Sequence, residues 1–399
     1  MTSPYDPLDQ ALLITNKGIF QDWETVWVQH QWSGSKSLFR FTAVEREPIP
    51  ALWDKLQFVP GDQVEITLGG QQALEKGFIG TRQVAYDKEN HAIELQGESF
   101  TGYVFRSSVD TPDGNFDGKN FEQVAREVLA KYQGISIRVI ADAGLNPRPF
   151  TSLQNEKGET TWDFLERIAR ARGIVLGSDF KNNVLLIDDH TFPVATRLVE
   201  GVNIESCQAI ISIQNLYDRY MESGQSNASD DNAGTAASEM EKEASGSGPP
   251  TSTKITPAPF PVRGDDELQE MANNEAVWSE GTKVQATIVT RGWMMPGTQK
   301  LWQAGDNVFV QSPMAIINQV MSINTVTFTQ DQRGTLTTLD LVIPWLLRDK
   351  SPAGANFPAD PTTLPPKPPP PEFTGDQPSP VPPPQPKPEG FKWPYPRRR

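Results

Sequence analysis

The chain has 399 residues and a formal net charge of −14. That length predicts two or three domains, and the acidity excludes a protein that coats DNA through a basic face. One cysteine, Cys207, excludes an intrachain disulfide. The opening MTSPYDPLDQ has no basic segment followed by an apolar core, and no apolar run approaches the ~20 residues of a membrane span. These features predict a soluble protein made in the cytoplasm of its producing cell.

The first hundred residues read as β. GIFQDWETVWVQ starts at Gly18, and in LFRFTAV the residues Leu38, Arg40 and Thr42 alternate with Phe39, Phe41 and Ala43. A turn at Pro60-Gly61-Asp62 leads into QVEITLGG. There Val64, Ile66 and Leu68 alternate with Glu65 and Thr67, and Gly69-Gly70 makes a hairpin turn. Residues 74–85 form the return, and AIELQG follows a turn at 88–90. Many short strands at close spacing predict a small antiparallel barrel. Cys207 is expected as a buried small apolar residue at a strand end.

The pattern changes near Arg106. DTPDGNFDGK is turn chemistry, after which Asn120 can cap the helix FEQVAREVLAKY. Phe121, Val124, Ala125, Val128 and Leu129 share one face of that helix, and Gly134 ends it. The strand ISIRVI follows. A second helix begins near Thr160, with Asp163 in the capping-box position and Trp162, Leu165, Ile168 and Ala169 as its buried stripe. IVLGSDF and NVLLIDD then make strands joined at 181–183. Together these elements predict a small α+β domain.

From Leu198 the chain reads as β again. Residues 224–250 are Gly-, Ser-, Ala- and acid-rich and predict a mobile loop or linker. A helix over 265–279 carries Leu268, Met271, Ala272 and Val277, and four strands close the globular part: KVQATIVTRGW, DNVFVQS, NQVMSINTVTFTQD and GTLTTLDLVI. Between Pro344 and Pro396 lie 19 of the 35 prolines, too many for a packed core, so an extended polyproline II tail is expected. The expected fold class is mostly β with an α+β insertion. Its domains are a first barrel (1–105), the α+β domain (106–197), a second barrel (198–346, with a flexible acidic loop at 224–258) and a proline-rich extension (347–399).

No motif carries catalysis. His30, His91 and His190 lie far apart, without metal-ligand spacing, and read as surface or hydrogen-bonded histidines. GxSxG and GxxxxGK[ST] are absent. Carboxylates such as Glu24, Asp54, Asp188 and Asp189 offer no favoured glycosidase pair, and Asp188-Asp189 reads as an acidic turn before it reads as a metal site. Trp23, Trp27, Trp32 and Trp53 could form a carbohydrate platform but fit core and interface packing better. Arg167, Arg170 and Arg172 crowd one helix, read as a solvated face with an acidic partner as the alternative. Arg397–Arg399 read as a solvated end. No catalytic, metal or cofactor-binding residue is assigned.

PGDQVEITLGGQQALEKGFIGTRQVAYDKENHAIELQGESFTGYVFRSSVD resembles the first half of the Mu-like contractile phage tail hub family. In that family a GDxVxVxIGG strand pair precedes a glycine-bearing return strand, and an Arg-Ser pair, here Arg106-Ser107, opens the next domain. NFEQVAREVLAKYQGISIRV and ETTWDFLERIARARGIVL are similar to its next helices and strands. RGW…LWQAGDNVFVQSP…INTVTFTQDQRGTLTTLDLVIP is similar to its closing barrel. The family is akin to the N-terminal half of type VI secretion spike proteins.

The resemblance implies a structural baseplate hub, not an enzyme. It implies a homotrimer whose paired barrels make a pseudo-sixfold ring between the hexameric tail tube and the trimeric central spike. The implied partners are the tail tube protein or tube initiator, the spike, baseplate wedge proteins and the tape measure protein, with no membrane and no specific nucleic-acid binding. The virion tail baseplate is the implied location, with an acidic bore for genome passage. A genome-free injection particle or bacteriocin hub, and a tail-associated peptidoglycan hydrolase, are the alternatives. The acidic segment at 224–250 and the proline tail have no counterpart in the family pattern.

Overall fold

In a computed structural model the described residues are 7–34, 36–45, 57–87, 91–111, 114–226 and 240–348. They fall within the unit Met1–Phe357. The proline tail, Trp53, Asp54 and Arg397–Arg399 lie outside them.

The first β region holds β1 (Ala11–Thr15), β2 (Gly18–Phe20), β3 (Thr25–Gln31), β4 (Lys36–Glu45), β5 (Gln63–Leu68), β6 (Gln71–Tyr86) and β7 (His91–Ser99). Gly69 and Gly70 both take positive φ, 54° and 76°, which is what a two-residue β5–β6 hairpin turn needs. The α+β part holds α1 (Phe100–Arg106), α2 (Phe121–Leu129), β8 (Ser136–Ala141), α3 (Thr161–Ala171), β9 (Val175–Ser178) and β10 (Asn183–Asp188). Asn120 and Gln123 form a complete capping box on α2, and the Thr160 hydroxyl accepts from the Asp163 amide on α3. The last part holds β11 (Val194–Val199), β12 (Ser206–Ile211), β13 (Arg219–Gly224), β14 (Met240–Ser245), β15 (Thr253–Pro257), α4 (Asp265–Gly281), β16 (Val284–Arg291), β17 (Asn307–Ser312), β18 (Ile317–Asp331) and β19 (Gly334–Val342).

Three findings go beyond the sequence reading. First, the two β regions form one 13-stranded sheet, in the order β12-β16-β19-β18-β3-β4-β7-β6-β5-β1-β2, with β17 on β18 and β11 on β17. The joint is the antiparallel β3–β18 pair, running from Gln31 opposite Thr325 to Val26 opposite Gln330. Among the described residues no pairing closes either half into a ring. Second, part of the segment read as a mobile loop is ordered: β14 pairs antiparallel with β13, β15 pairs parallel with it, and α4 packs on them. β14 was missed because its sequence, MEKEAS, is polar: it is one-sided, with only Ala244 buried. Residues 227–239 lie outside the described set. Third, α1 follows directly on β7, with Ser99 as its N-cap. Seven residues give too few turns for a periodic signal.

The core has two main clusters, and β10 divides them. Leu185 and Ile187 join Val28, Phe41, Val326, Phe328 and Trp302 under the long sheet. Val184 and Leu186 join Phe121, Val124, Phe164 and Ile168 in the α+β cluster. Alternate side chains of a strand point to opposite faces, so an unbroken apolar run such as VLLI suits a strand buried on both. Burying each large side chain contributes about 1.5–3 kcal/mol, so β10 is the rivet between the layers. No described helix is long and apolar enough to cross a membrane.

Candidate assembly interface

The long sheet buries one face and wets the other. Val26, Val28 and His30 of β3, Phe39 and Phe41 of β4, and Leu339 and Leu341 of β19 point inward. Residues opposite one another in an antiparallel pair share a face, so the pairing defines rows on the outer side. One row runs Gln208, Thr287, Asp340, Thr325, Gln31. A second runs Ser206, Val289, Thr338, Thr327, Gln29. A third runs Arg291, Leu336, Thr329, Trp27, Arg40, Gln96, Thr81.

These rows form a threonine- and glutamine-rich surface that crosses the joint without a break. Hydrogen bonds link side chains across the rows: Gln29 Nε2 donates to Thr327 Oγ1 (3.1 Å), and Thr287 Oγ1 donates to Asp340 Oδ1 (2.8 Å). The Arg40 guanidinium lies 5.5 Å from the Trp27 ring centre. On these strands Glu94, Glu98, Asp331 and Asp340 stand against Lys36, Arg40 and Arg291, with Arg333 of the adjoining turn paired to Asp331 (2.6 Å). The face is close to neutral, so the acidity expected from the whole-chain charge is not placed here.

The sheet has open edges. Among the described residues β12 pairs on one side only, and it exposes Ile210 (57%), Ile211 (49%) and, just beyond it, Ile213 (53%). The distal part of β6 pairs with β7 but, among the described residues, with no strand on its outer side; Val84 is exposed there. Apolar side chains on an unpaired strand edge are a template for strand addition. Cys207, read as buried, sits exposed on β12, because an edge strand on a solvated corner has no second layer above it.

The other residues singled out in the sequence scatter. His30 is buried and satisfied: Nε2–H donates to the Ser178 carbonyl and Nδ1 accepts from the Ser37 hydroxyl, both at 2.8 Å. The carbonyl can only accept, which fixes the tautomer. Burial pushes its pKa down to about 4. His190 Nδ1 lies 2.6 Å from Asp142. Trp32 wedges against Gly177 and Gly305, Trp23 packs on Phe41, and Trp27 faces the polar rows, so these three do not make one platform. Asp188 and Asp189 both bind the Arg348 guanidinium, at 3.1 and 3.0 Å. Among the described residues no group of three or more metal-ligating side chains converges.

The three arginines on and just after α3 are all ion-paired; Arg170 remains exposed as a solvated face predicts, whereas Arg172 is buried. Arg167 pairs with Glu159 (2.9 Å) and Arg170 with Glu275 (3.1 Å). Arg172 is buried against Glu267, with its guanidinium 4.6 Å from the Phe150 ring centre and 5.3 Å from that of Phe260. Their acidic partners lie on α4 and the α3 approach, which spacing along α3 cannot reveal.

Comparison with known proteins places this architecture. Residues 101–187 match the family model described as the second domain of gp44-like baseplate hub proteins. The fold as a whole is shared with the 43 kDa tail protein of prophage MuSo2 from Shewanella oneidensis, with a TM-score of 0.69 and 21% identity over 85% of this chain and 99% of that one. The tail protein of Neisseria meningitidis MC58 gives 0.70 and 19%, over 85% and 98%. A type VI secretion component of E. coli, described as structurally similar to the phage T4 tail proteins gp27 and gp5, gives 0.51 and 13%, over 83% and 76%. The chain therefore shares the fold of these tail proteins, and its residues 101–187 are similar to the second domain of gp44-like baseplate hub proteins. In sequence it is similar to baseplate hub protein gp44 of Escherichia phage Mu, 24% identical over 131 residues. That alignment spans 33% of this chain and 34% of gp44.

Proposed function

We propose that this chain is a structural, non-enzymatic hub subunit of a contractile phage tail baseplate. Three copies form a ring that adapts the sixfold tail tube to the threefold central spike and lines the channel for genome passage. The observation that carries this is the single sheet built from two β regions of one chain, with a mostly polar outer face and, among the described residues, a strand edge on β12 and another on β6 near Gln83 and Val84 that pair with no further strand. Two β regions per chain supply six in a trimer, which suits a sixfold neighbour. The edges differ from one another, so a contact between them is heterologous, and a threefold rotation between copies closes it into a ring.

In this reading residues 1–105 and 198–346 are the two barrel-forming domains, completed by neighbouring copies. The α+β domain at 106–197 supports the spike or wedge proteins from outside. The Thr/Gln face turns toward the bore: near-neutral hydroxyls and amides give passing phosphates little to grip. Tube protein or tube initiator, spike, wedge proteins and tape measure protein are the partners, and the tail baseplate, assembled in host cytoplasm, is the location.

The test is light scattering coupled to size exclusion, where a trimer weighs three times 44.3 kDa. Beside it, Gln83, Val84 and Ala85 are replaced singly by Cys, with native Cys207 as the partner thiol. Oxidation is expected to give a crosslinked ladder ending at three chains. A monomer at every concentration, alone and with its spike, overturns the ring; a trimer that no variant crosslinks overturns the edge assignment.

A further inference from the structure

A groove of about 370 Å³ lies where α3, α4, β15 and the chain end after β19 meet. It shares Glu166, Arg170, Glu275 and Trp278 with an adjoining cavity of about 220 Å³, so the two form one trough. Trp162 stands at one end, Trp278 lies between, and Glu222 of β13 lines the far end. The trough plays no part in the ring.

Its charges do not balance. Three carboxylates line it: Glu166, Glu222 and Glu275. Two cations face them, and both are committed to Glu275: Arg170 at 3.1 Å and Lys254 at 2.5 Å. Arg167 also reaches the wall, but its guanidinium is bidentate to Glu159, at 2.9 and 3.0 Å. Glu222 is only 5% exposed. It sits beside Glu275 and has a hydrogen bond from Thr256 but, among the described residues, no ion pair of its own. Burial, and then the Glu275 charge, push Glu222 up to about 7; burial also raises Glu166, which Arg170 only partly offsets. A buried carboxylate without a cation costs several kcal/mol unless it takes up a proton. Among the described residues the trough is thus one positive charge short, and two indoles line it: Trp162, and Trp278, whose ring centre already lies 4.8 Å from the Arg170 guanidinium, as indoles favour cations.

We propose that this trough is a binding site for one cationic side chain, an arginine or lysine on an extended segment of a partner protein. The guanidinium or ammonium sits between Glu166 and Glu222 and completes a three-to-three set of charges. Its methylene stem lies along Trp162 and Trp278. Arginine fits better than lysine, since its planar fork can meet one carboxylate while stacking on an indole.

Binding expels the proton held on Glu222, so affinity rises with pH. A carboxyl titrating near 7 is about nine-tenths ionised at about pH 8 and one-tenth at about pH 6. The test uses the full chain and the probe N-butylguanidinium, with uncharged N-butylurea as control, followed by NMR of the indole N–H resonances of Trp162 and Trp278, assigned with Trp162→Phe and Trp278→Phe. The expected result is saturable shifts with the cation alone, about tenfold tighter at about pH 8 than at about pH 6. Glu222→Gln is expected to remain folded by circular dichroism and to bind at least about tenfold more weakly, without pH dependence. Glu166→Gln, which keeps the Glu222 pH dependence, gives the same weakening should Glu222→Gln not fold. The proposal is overturned by equal shifts with the urea, by undiminished binding in the glutamine variant, or by no shift up to about 50 mM, above the millimolar range expected of one side chain.

Discussion

The outer face of the long sheet and the layer between α3 and α4 carry the same kinds of charged residue and treat them in opposite ways. On the sheet, Arg40, Arg291 and Asp340 stand in water, where a charge pair contributes little and is screened by salt. Between the helices, Arg172 with Glu267 and the lone Glu222 are held away from water, and Glu275 is buried beneath a half-exposed Arg170. There a missing partner is expensive and protons move to compensate. The difference is one of burial, not composition: a face that other molecules slide past can be weakly charged and wet, whereas a joint between layers fixes its charges by desolvating them.

The largest expected effect breaks the buried side of that comparison. Arg172→Ala strips Glu267 of its cation and should destabilise the fold by about 3–5 kcal/mol in urea denaturation; Arg172→Met should cost less, because it keeps the packing on Phe150 and Phe260. A loss below about 1 kcal/mol for the alanine variant would mean that water reaches this pair.

Next comes acid sensitivity at His30. Its folded pKa, about 4, lies below the usual 6.5, so its contribution is complete above about 6.5 and is lost as pH falls toward 4. Across that window it should remove up to roughly 3 kcal/mol. His30→Gln should flatten the slope by about one proton, read as the difference between the two stability–pH curves.

Glu222 runs in the other direction. Its folded pKa, about 7, is raised above the usual 4.5, so the stability it lends is present below about 4.5 and lost as pH rises through 7. Glu222→Gln should therefore stabilise the chain by about 1–2 kcal/mol at about pH 8 and change little at about pH 5. A thermal melt at the two pH values checks it. The smallest effect belongs to the wet face: Arg40→Ala should cost under about 1 kcal/mol, and less at high salt. A larger cost would show that this face is buried by another chain even in the purified protein.

The α+β part was largely legible in the sequence because its signals are local. Asn120 and Gln123, Thr160 and Asp163, and the stripe at Leu165, Ile168 and Ala169 sit within a few residues of one another and specify caps and buried faces on their own. The hairpin at Gly69-Gly70 was legible for the same reason: only a positive φ fits there. Of the candidate interface, the alternation that makes one face polar could be read, but not what lies beside it. β14 was hidden because an edge strand under a helix needs only one buried side chain, and Cys207 was misplaced because exposure depends on what covers a strand.

The sequence by itself determined the mostly β class, the helix starts and stops, and the alternation along each strand, since these follow from steric and solvation preferences acting over a few residues. The tertiary structure alone decided that β3 meets β18 across some three hundred residues of chain, that β10 serves two cores, and that Arg172 and Glu222 lose their water. Those outcomes depend on which surfaces meet when distant segments pack, and burial, pairing register and proton affinity come into being only at that meeting.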